Sequence, residues 1–132
     1  MSNGNVTLVQ SLYDAFKRGD IAAILDALTP DADWQVHGDP EHFPTLGRWK
    51  GPSGAQEFFR LVADNLEVAD FSPRDFSAAG DKVFVLGRYD WKVRKTGKPV
   101  GAAWCHVFTF KNGKVAAFRE FTDTAAFAEA YR

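Results

Sequence analysis

The chain has 132 residues, with 16 Lys and Arg against 17 Asp and Glu, a net charge of −1 and 45% apolar residues. That balance suits one domain spanning residues 1–132 around a single core, and it argues against a disordered chain. No basic stripe marks a nucleic-acid partner, and no apolar run approaches the roughly 20 residues of a membrane span. The single Cys105 leaves no disulfide framework and no cysteine metal site. Met1-Ser2-Asn3-Gly4-Asn5 lacks the basic and apolar regions of a signal peptide, so a cytoplasmic location is expected.

Val6, Val9, Leu12, Tyr13 and Phe16 recur at helical spacing, and Gly19 is placed to stop that helix. Asp20 is a suitable cap for a second helix carrying Ile21, Ile24, Leu25 and Leu28, closed by Thr29-Pro30. Asp31 to Val36 reads as a short strand with Trp34 and Val36 on one face. His37 to Gly47 is rich in breakers and long for an ordinary connection, as loops that line a site often are. Gly51-Pro52 opens a third helix with Phe58, Phe59, Val62 and Leu66 on its buried side. Ala69 to Ala78 is a weaker strand, and Pro73 places it at a sheet edge.

Val83 to Thr122 reads as a meander of three antiparallel strands. Lys111-Asn112-Gly113-Lys114 has the Asn-Gly of a type I′ hairpin turn, and Lys95-Thr96-Gly97-Lys98 forms the earlier turn. After it, Asp123 can cap a last helical turn from Thr124 to Tyr131. Helices followed by an antiparallel sheet predict an α+β domain with helices on one face of a curved sheet. Side chains alternate along a strand, so parity sorts them into faces. One such combination gathers Arg88, Asp90, His106 and Glu120 among aromatics on the inner face. The other face is also apolar, and an exposed patch of that size predicts a homodimer through the outer sheet face.

The stretches VQSLYDAFKRGDIAAIL, DADWQVHGDP, GPSGAQEFF, VFVLGRYD and HVFTFKNGKVAAFREFTD cover nearly the whole chain. Together they resemble the nuclear transport factor 2-like superfamily, in its SnoaL-like, limonene-epoxide-hydrolase-like and ketosteroid-isomerase-like branch. The resemblance implies a cone-shaped fold, with three N-terminal helices packed into a strongly curved, mostly antiparallel sheet. It also implies a pocket inside the cone and dimers through the outer sheet face.

Three activities follow from the resemblance as expectations. The epoxide-hydrolase pattern of Arg-x-Asp with a last-strand acid maps onto Arg88, Asp90 and Glu120, with Glu in place of the family's Asp. There one carboxylate serves as base on water and the other as acid, with Arg88 between them. The residues that help position water align with Trp34 and Val36, and Val36 offers no side-chain hydrogen bond. The ketosteroid-isomerase base maps onto Asp39, before Pro40. Its oxyanion donors do not align, because Tyr13 falls about one residue out of register and the acid's position is Ala103. In SnoaL-like cyclases a pocket Asp is the acid/base, a role that Asp90 or Glu120 could fill.

The residues themselves leave alternatives open. Arg88, Asp90 and Glu120 are either a reactive cluster or a structural salt-bridge group, and His106 is either a titrating partner or a hydrogen-bonded core residue. His37, Asp39, Glu41 and His42 lack the spacing of a metal site, so neither metal nor cofactor is expected. Trp34, Val36, Tyr13, Trp104, Phe108 and Phe118 are the expected substrate-pocket residues. The expected function is a cofactor-independent acid/base enzyme for a small apolar molecule, a hydrolase, isomerase or cyclase. The alternatives are a non-catalytic small-ligand binder and an interaction module using the outer face.

Overall fold

Helix α1 (Ser2–Lys17) buries Val9, Leu12, Tyr13 and Ala15 along one side and stops before Gly19, whose φ of 76° only glycine adopts without strain. Asp20 then caps α2 (Ile21–Asp26) by accepting a hydrogen bond from the Ala23 N–H. This is a computed structural model and describes residues 2–132. Helix α2 is shorter than its apolar pattern suggests, because Leu28 already belongs to strand β1 (Leu28–Val36). A short strand not foreseen in the sequence, β2 (Gly47–Lys50), pairs with β1 and leads into α3 (Gly51–Asn65), with Pro52 in its first turn. Strands β3 (Leu66–Ala79), β4 (Lys82–Val93), β5 (Pro99–Lys111) and β6 (Lys114–Thr122) follow, and α4 (Thr124–Ala130) is capped by Asp123.

The strands form one curved, open sheet in the order β2-β1-β6-β5-β4-β3, antiparallel except for the parallel β1–β6 pair. As Pro73 predicts, β3 is an edge strand, and its register with β4 shifts between Pro73 and Asp75. Asn112 and Gly113 both take positive φ, 52° and 79°, in the hairpin between β5 and β6. Helices α1 to α3 cover the concave face. There the alternating side chains Val83, Val85, Tyr89, Trp91, Trp104, His106, Phe108 and Phe118 are buried. The arrangement is the α+β cone expected from the sequence.

Register decides which β4 residues face inward, and here the parity expectation needs correction. Val93 donates its N–H to the Lys98 carbonyl, which leaves a four-residue loop, Arg94 to Gly97. A loop with an even number of residues pairs odd positions with even ones, so Val85 lies opposite His106 and Tyr89 opposite Ala102. Arg88 and Asp90 therefore point to the convex face, with Phe84 and Leu86. Gly87 has a separate role. A Cβ there would collide with the indole of Trp104 on the neighbouring strand, so its absence lets that ring lie flat against β4.

Candidate active site

A cavity of about 90 Å³ lies between the concave face and the helices. Leu12, Tyr13 and Phe16 of α1 and Phe58, Phe59 and Val62 of α3 form its helical wall. Trp34, Val36, Tyr89, Trp91, Phe108 and Phe118 form the sheet wall. Phe43 and Thr45 of the breaker-rich loop and Phe127 of α4 close one end, with Phe43 stacked on Phe127 at 5.3 Å. Apolar periodicity accounts for nearly all of this lining. The exceptions carry the chemistry.

Three strands bring His106, Glu120 and Tyr89 together, and α1 adds Tyr13. His106 is 4% exposed, with Nδ1 at 2.7 Å from the Tyr13 hydroxyl and Nε2 at 2.9 Å from Glu120 Oε1. The other carboxylate oxygen, Oε2, lies 2.9 Å from the Tyr89 hydroxyl, which is also 2.8 Å from Thr122 Oγ1. One protonation pattern satisfies the central groups together. Tyr13 donates to Nδ1, neutral His106 donates from Nε2 to Glu120, and Tyr89 donates to the same carboxylate. Every proton in that chain points toward Glu120, as an ionised carboxylate requires.

Burial and then the Glu120 charge push the Tyr13 phenol far above its ordinary range, and the same two causes raise Tyr89. Both remain protonated donors at neutral pH. Glu120 has 14% of its side chain exposed and lines the cavity, and it is the sole carboxylate among the described lining residues. Each of its oxygens accepts one hydrogen bond within the cluster and keeps a second lone pair. A bound molecule can therefore meet a carboxylate whose position is fixed from two sides.

The structure separates the expected site residues into two groups. Tyr13, Trp34, Val36, His106, Phe108, Phe118 and Glu120 line one cavity. Arg88 and Asp90 do not. They lie 3.7 Å apart on the convex face, with 46% and 48% of their side chains exposed, across the sheet from Glu120. Trp104 also falls outside the lining, stacked behind His106 at 3.8 Å between ring centroids. Asp39 is exposed and accepts a hydrogen bond from the Glu41 N–H, which is a turn-forming role. Cys105 is partly buried, and burial raises its thiol pKa.

Tyr89 and Thr122 escaped notice in the sequence. Tyr89 belongs to the run Val83, Val85, Tyr89, Trp91, Val93, which alternates with Arg88, Asp90 and Lys92. That contrast was the available signal for which face is buried. Among the described residues, no three His, Cys, Asp or Glu side chains converge as a metal site. No described helix is long and apolar enough to cross a membrane.

Known proteins give the cone a family. The search of curated proteins found no match. Among solved structures, a nuclear transport factor 2-like protein from Burkholderia thailandensis superposes with a TM-score of 0.87 at 29% identity, over 96% of each chain. One from Burkholderia xenovorans gives 0.89 at 26% identity, over 100% of this chain and 98% of the other. TerC, co-crystallised with polyporic acid, gives 0.82 at 27% identity, over 97% and 98% of the two chains. The sequence model of the SnoaL-like domain matches residues 9–118, most of the chain, and the protein belongs to that family.

Proposed function

We propose that this protein is a cofactor-independent acid/base enzyme that moves a proton on a small, largely aromatic carbonyl compound, in the manner of an isomerase or cyclase. The observation that carries the reading is the Glu120 carboxylate, held by His106 and Tyr89 at the edge of an otherwise apolar cavity. Glu120 takes a proton from carbon next to the carbonyl, and the same carboxyl returns it at another carbon. His106 and Tyr89 fix the direction of its carboxylate, and Tyr13 holds the His106 tautomer. TerC's co-crystallisation with polyporic acid supports an oxygenated aromatic ligand.

Hydrolysis of an epoxide is less well supported. Its second acid and bridging guanidinium would be Asp90 and Arg88, which lie on the far face. Val36 lines the cavity where water would need a hydrogen-bond partner. A non-catalytic ligand binder of the same fold would use the same cavity, and it differs by lacking turnover.

Deuterium uptake by 2-tetralone in D2O, followed by NMR, tests the reading. The protein should accelerate exchange next to the carbonyl, and Glu120→Gln should reduce the acceleration by roughly 10²–10⁴-fold while leaving 2-tetralone bound. Binding without any acceleration would move the protein to the non-catalytic class.

The reading also includes a second copy of the chain on the convex face. There Phe84, Leu86 and Phe121 are 38%, 54% and 42% exposed, and cross-strand pairing through Cys105 and Val107 makes them one patch.

A further inference from the structure

Tyr89 has a single hydroxyl hydrogen and two acceptors within its reach. Its oxygen lies 2.9 Å from Glu120 Oε2 and 2.8 Å from Thr122 Oγ1. One hydrogen serves only one of these acceptors fully at a time. The Tyr89 side chain is 2% exposed, so its hydroxyl depends on these two neighbours. Glu120 and Thr122 alternate along β6 and share a face, which is why one phenol meets both. Thr122 Oγ1 is in turn 3.3 Å from the Ala103 carbonyl, to which it donates. With its own hydrogen committed there, Thr122 keeps lone pairs for Tyr89.

Charge decides between the two acceptors. A carboxylate accepts more strongly than a hydroxyl, so the Tyr89 hydrogen goes to Glu120 while that group is ionised. Once Glu120 has taken a proton from a bound molecule it is neutral, and the advantage is lost. A proton on Oε2 would also place a second hydrogen in the line to Tyr89. Thr122 then accepts the phenol hydrogen, and the Tyr89 oxygen is free to accept from the carboxyl. We propose that Thr122 is a positioning residue, the alternative acceptor that keeps Tyr89 hydrogen-bonded when Glu120 becomes neutral. The switch is a rotation about the phenol C–O bond and breaks no covalent bond. The proton that Glu120 gains comes from a ligand C–H, whose electron pair stays behind as an enolate. The effect on rate rests on the proton-transfer reading above, whereas the change of acceptor does not.

Thr122→Val keeps the shape and removes the acceptor, while Thr122→Ser keeps the acceptor. In deuterium uptake by 2-tetralone, Thr122→Val should lower kcat about three- to tenfold and leave KM within about twofold. Thr122→Ser should stay within about twofold of the unaltered protein in both. A packing role predicts the reverse order, because Ser lacks the methyl group that Val replaces. The switch also has its own readout. With tyrosine labelled at ¹³Cζ, Glu120→Gln supplies a neutral side chain and should displace the Tyr89 resonance. That displacement should persist in Thr122→Ser and change in Thr122→Val. The same displacement in all three backgrounds, or an unchanged kcat in Thr122→Val, would overturn the proposal. No exchange by the unaltered protein would overturn the enzyme reading, and the Tyr89 resonance would still decide the switch. Thr122→Ala takes the place of Thr122→Val in both measurements if the latter does not fold.

Discussion

The two faces of the sheet carry similar residue types and put them to different uses. On the concave face, Glu120 meets His106 and Tyr89 in a setting from which water is mostly excluded, with donors at 2.9 Å on each carboxylate oxygen. On the convex face, Asp90 meets Arg88 at 3.7 Å with about half of each side chain exposed, and Glu67 faces Lys92 and Arg94 at 3.6 Å in similar exposure. Such exposed pairs contribute about 0–1 kcal/mol and are screened by salt. A carboxylate beside a cation, or an Arg-x-Asp motif, therefore says little about chemistry until the face is known. The buried face also makes each group depend on its neighbours, whereas the exposed pairs are largely independent of one another.

The sharpest way to break this contrast is to neutralise one carboxylate on each side. Glu120→Gln should cost roughly 10²–10⁴-fold in proton exchange, and Asp90→Asn should stay within about twofold of the unaltered protein. A comparable loss in Asp90→Asn would overturn the face assignment as the basis of function. Stability should divide along the same line. Phe118 is 4% exposed and packs on Trp34, so Phe118→Ala should lose about 3–5 kcal/mol in urea unfolding. Arg88→Ala should lose less than about 0.5 kcal/mol.

High pH probes the tyrosines of the concave face. Tyr13 and Tyr89 have folded pKa values raised above the ordinary value of about 10. Their contribution is thus fully present below pH ~10 and is lost as pH rises, because only the unfolded chain ionises there. Two such groups together give a fall of roughly 2.7 kcal/mol per pH unit above 10. Burial pushes Tyr131 up to about 12, so absorbance near 295 nm should show little phenolate until the chain unfolds. Early titration of two tyrosines with the fold intact would contradict the buried cluster. The smallest expected stability effect belongs to Leu86→Lys on the convex face. It should stay within about 0.5 kcal/mol of the unaltered chain while dispersing dimers in sedimentation. A unaltered chain that sediments as a monomer at micromolar concentration would remove the dimer proposal.

Local chemistry was legible in the sequence wherever a single residue settles the backbone. Gly19 ends α1, Asp20 and Asp123 cap their helices, Pro73 marks an edge, and Asn112-Gly113 closes the β5–β6 hairpin. Relations between elements were harder to read. Whether Arg88 or Tyr89 joins His106 depends on the number of residues in the Arg94–Gly97 loop, and a change of one exchanges every side chain on β4 between faces. His106 and Glu120 pair directly, as the parity grouping expected, but the β5–β6 turn alone would set His106 opposite Arg119, and a register shift between Thr109 and Phe110 brings Glu120 there. Strand β2 was missed because four residues between a loop and a helix carry too little periodicity to register.

The parallel β1–β6 pair has a consequence for how the chain reaches this state. Trp34 can meet Phe118, and Val36 can meet Glu120, only after most of the intervening sequence has found its place. Contacts so distant along the chain incur loop-closure entropy before they return any energy, which slows folding. Until β6 docks, the apolar side of β1 has no strand beside it on that edge, and the carboxylate of Glu120 has no enclosing cavity. Assembly of the Glu120 cluster and completion of the sheet therefore belong to the same step, and if the proposed proton exchange holds, its recovery should coincide with the slowest refolding phase.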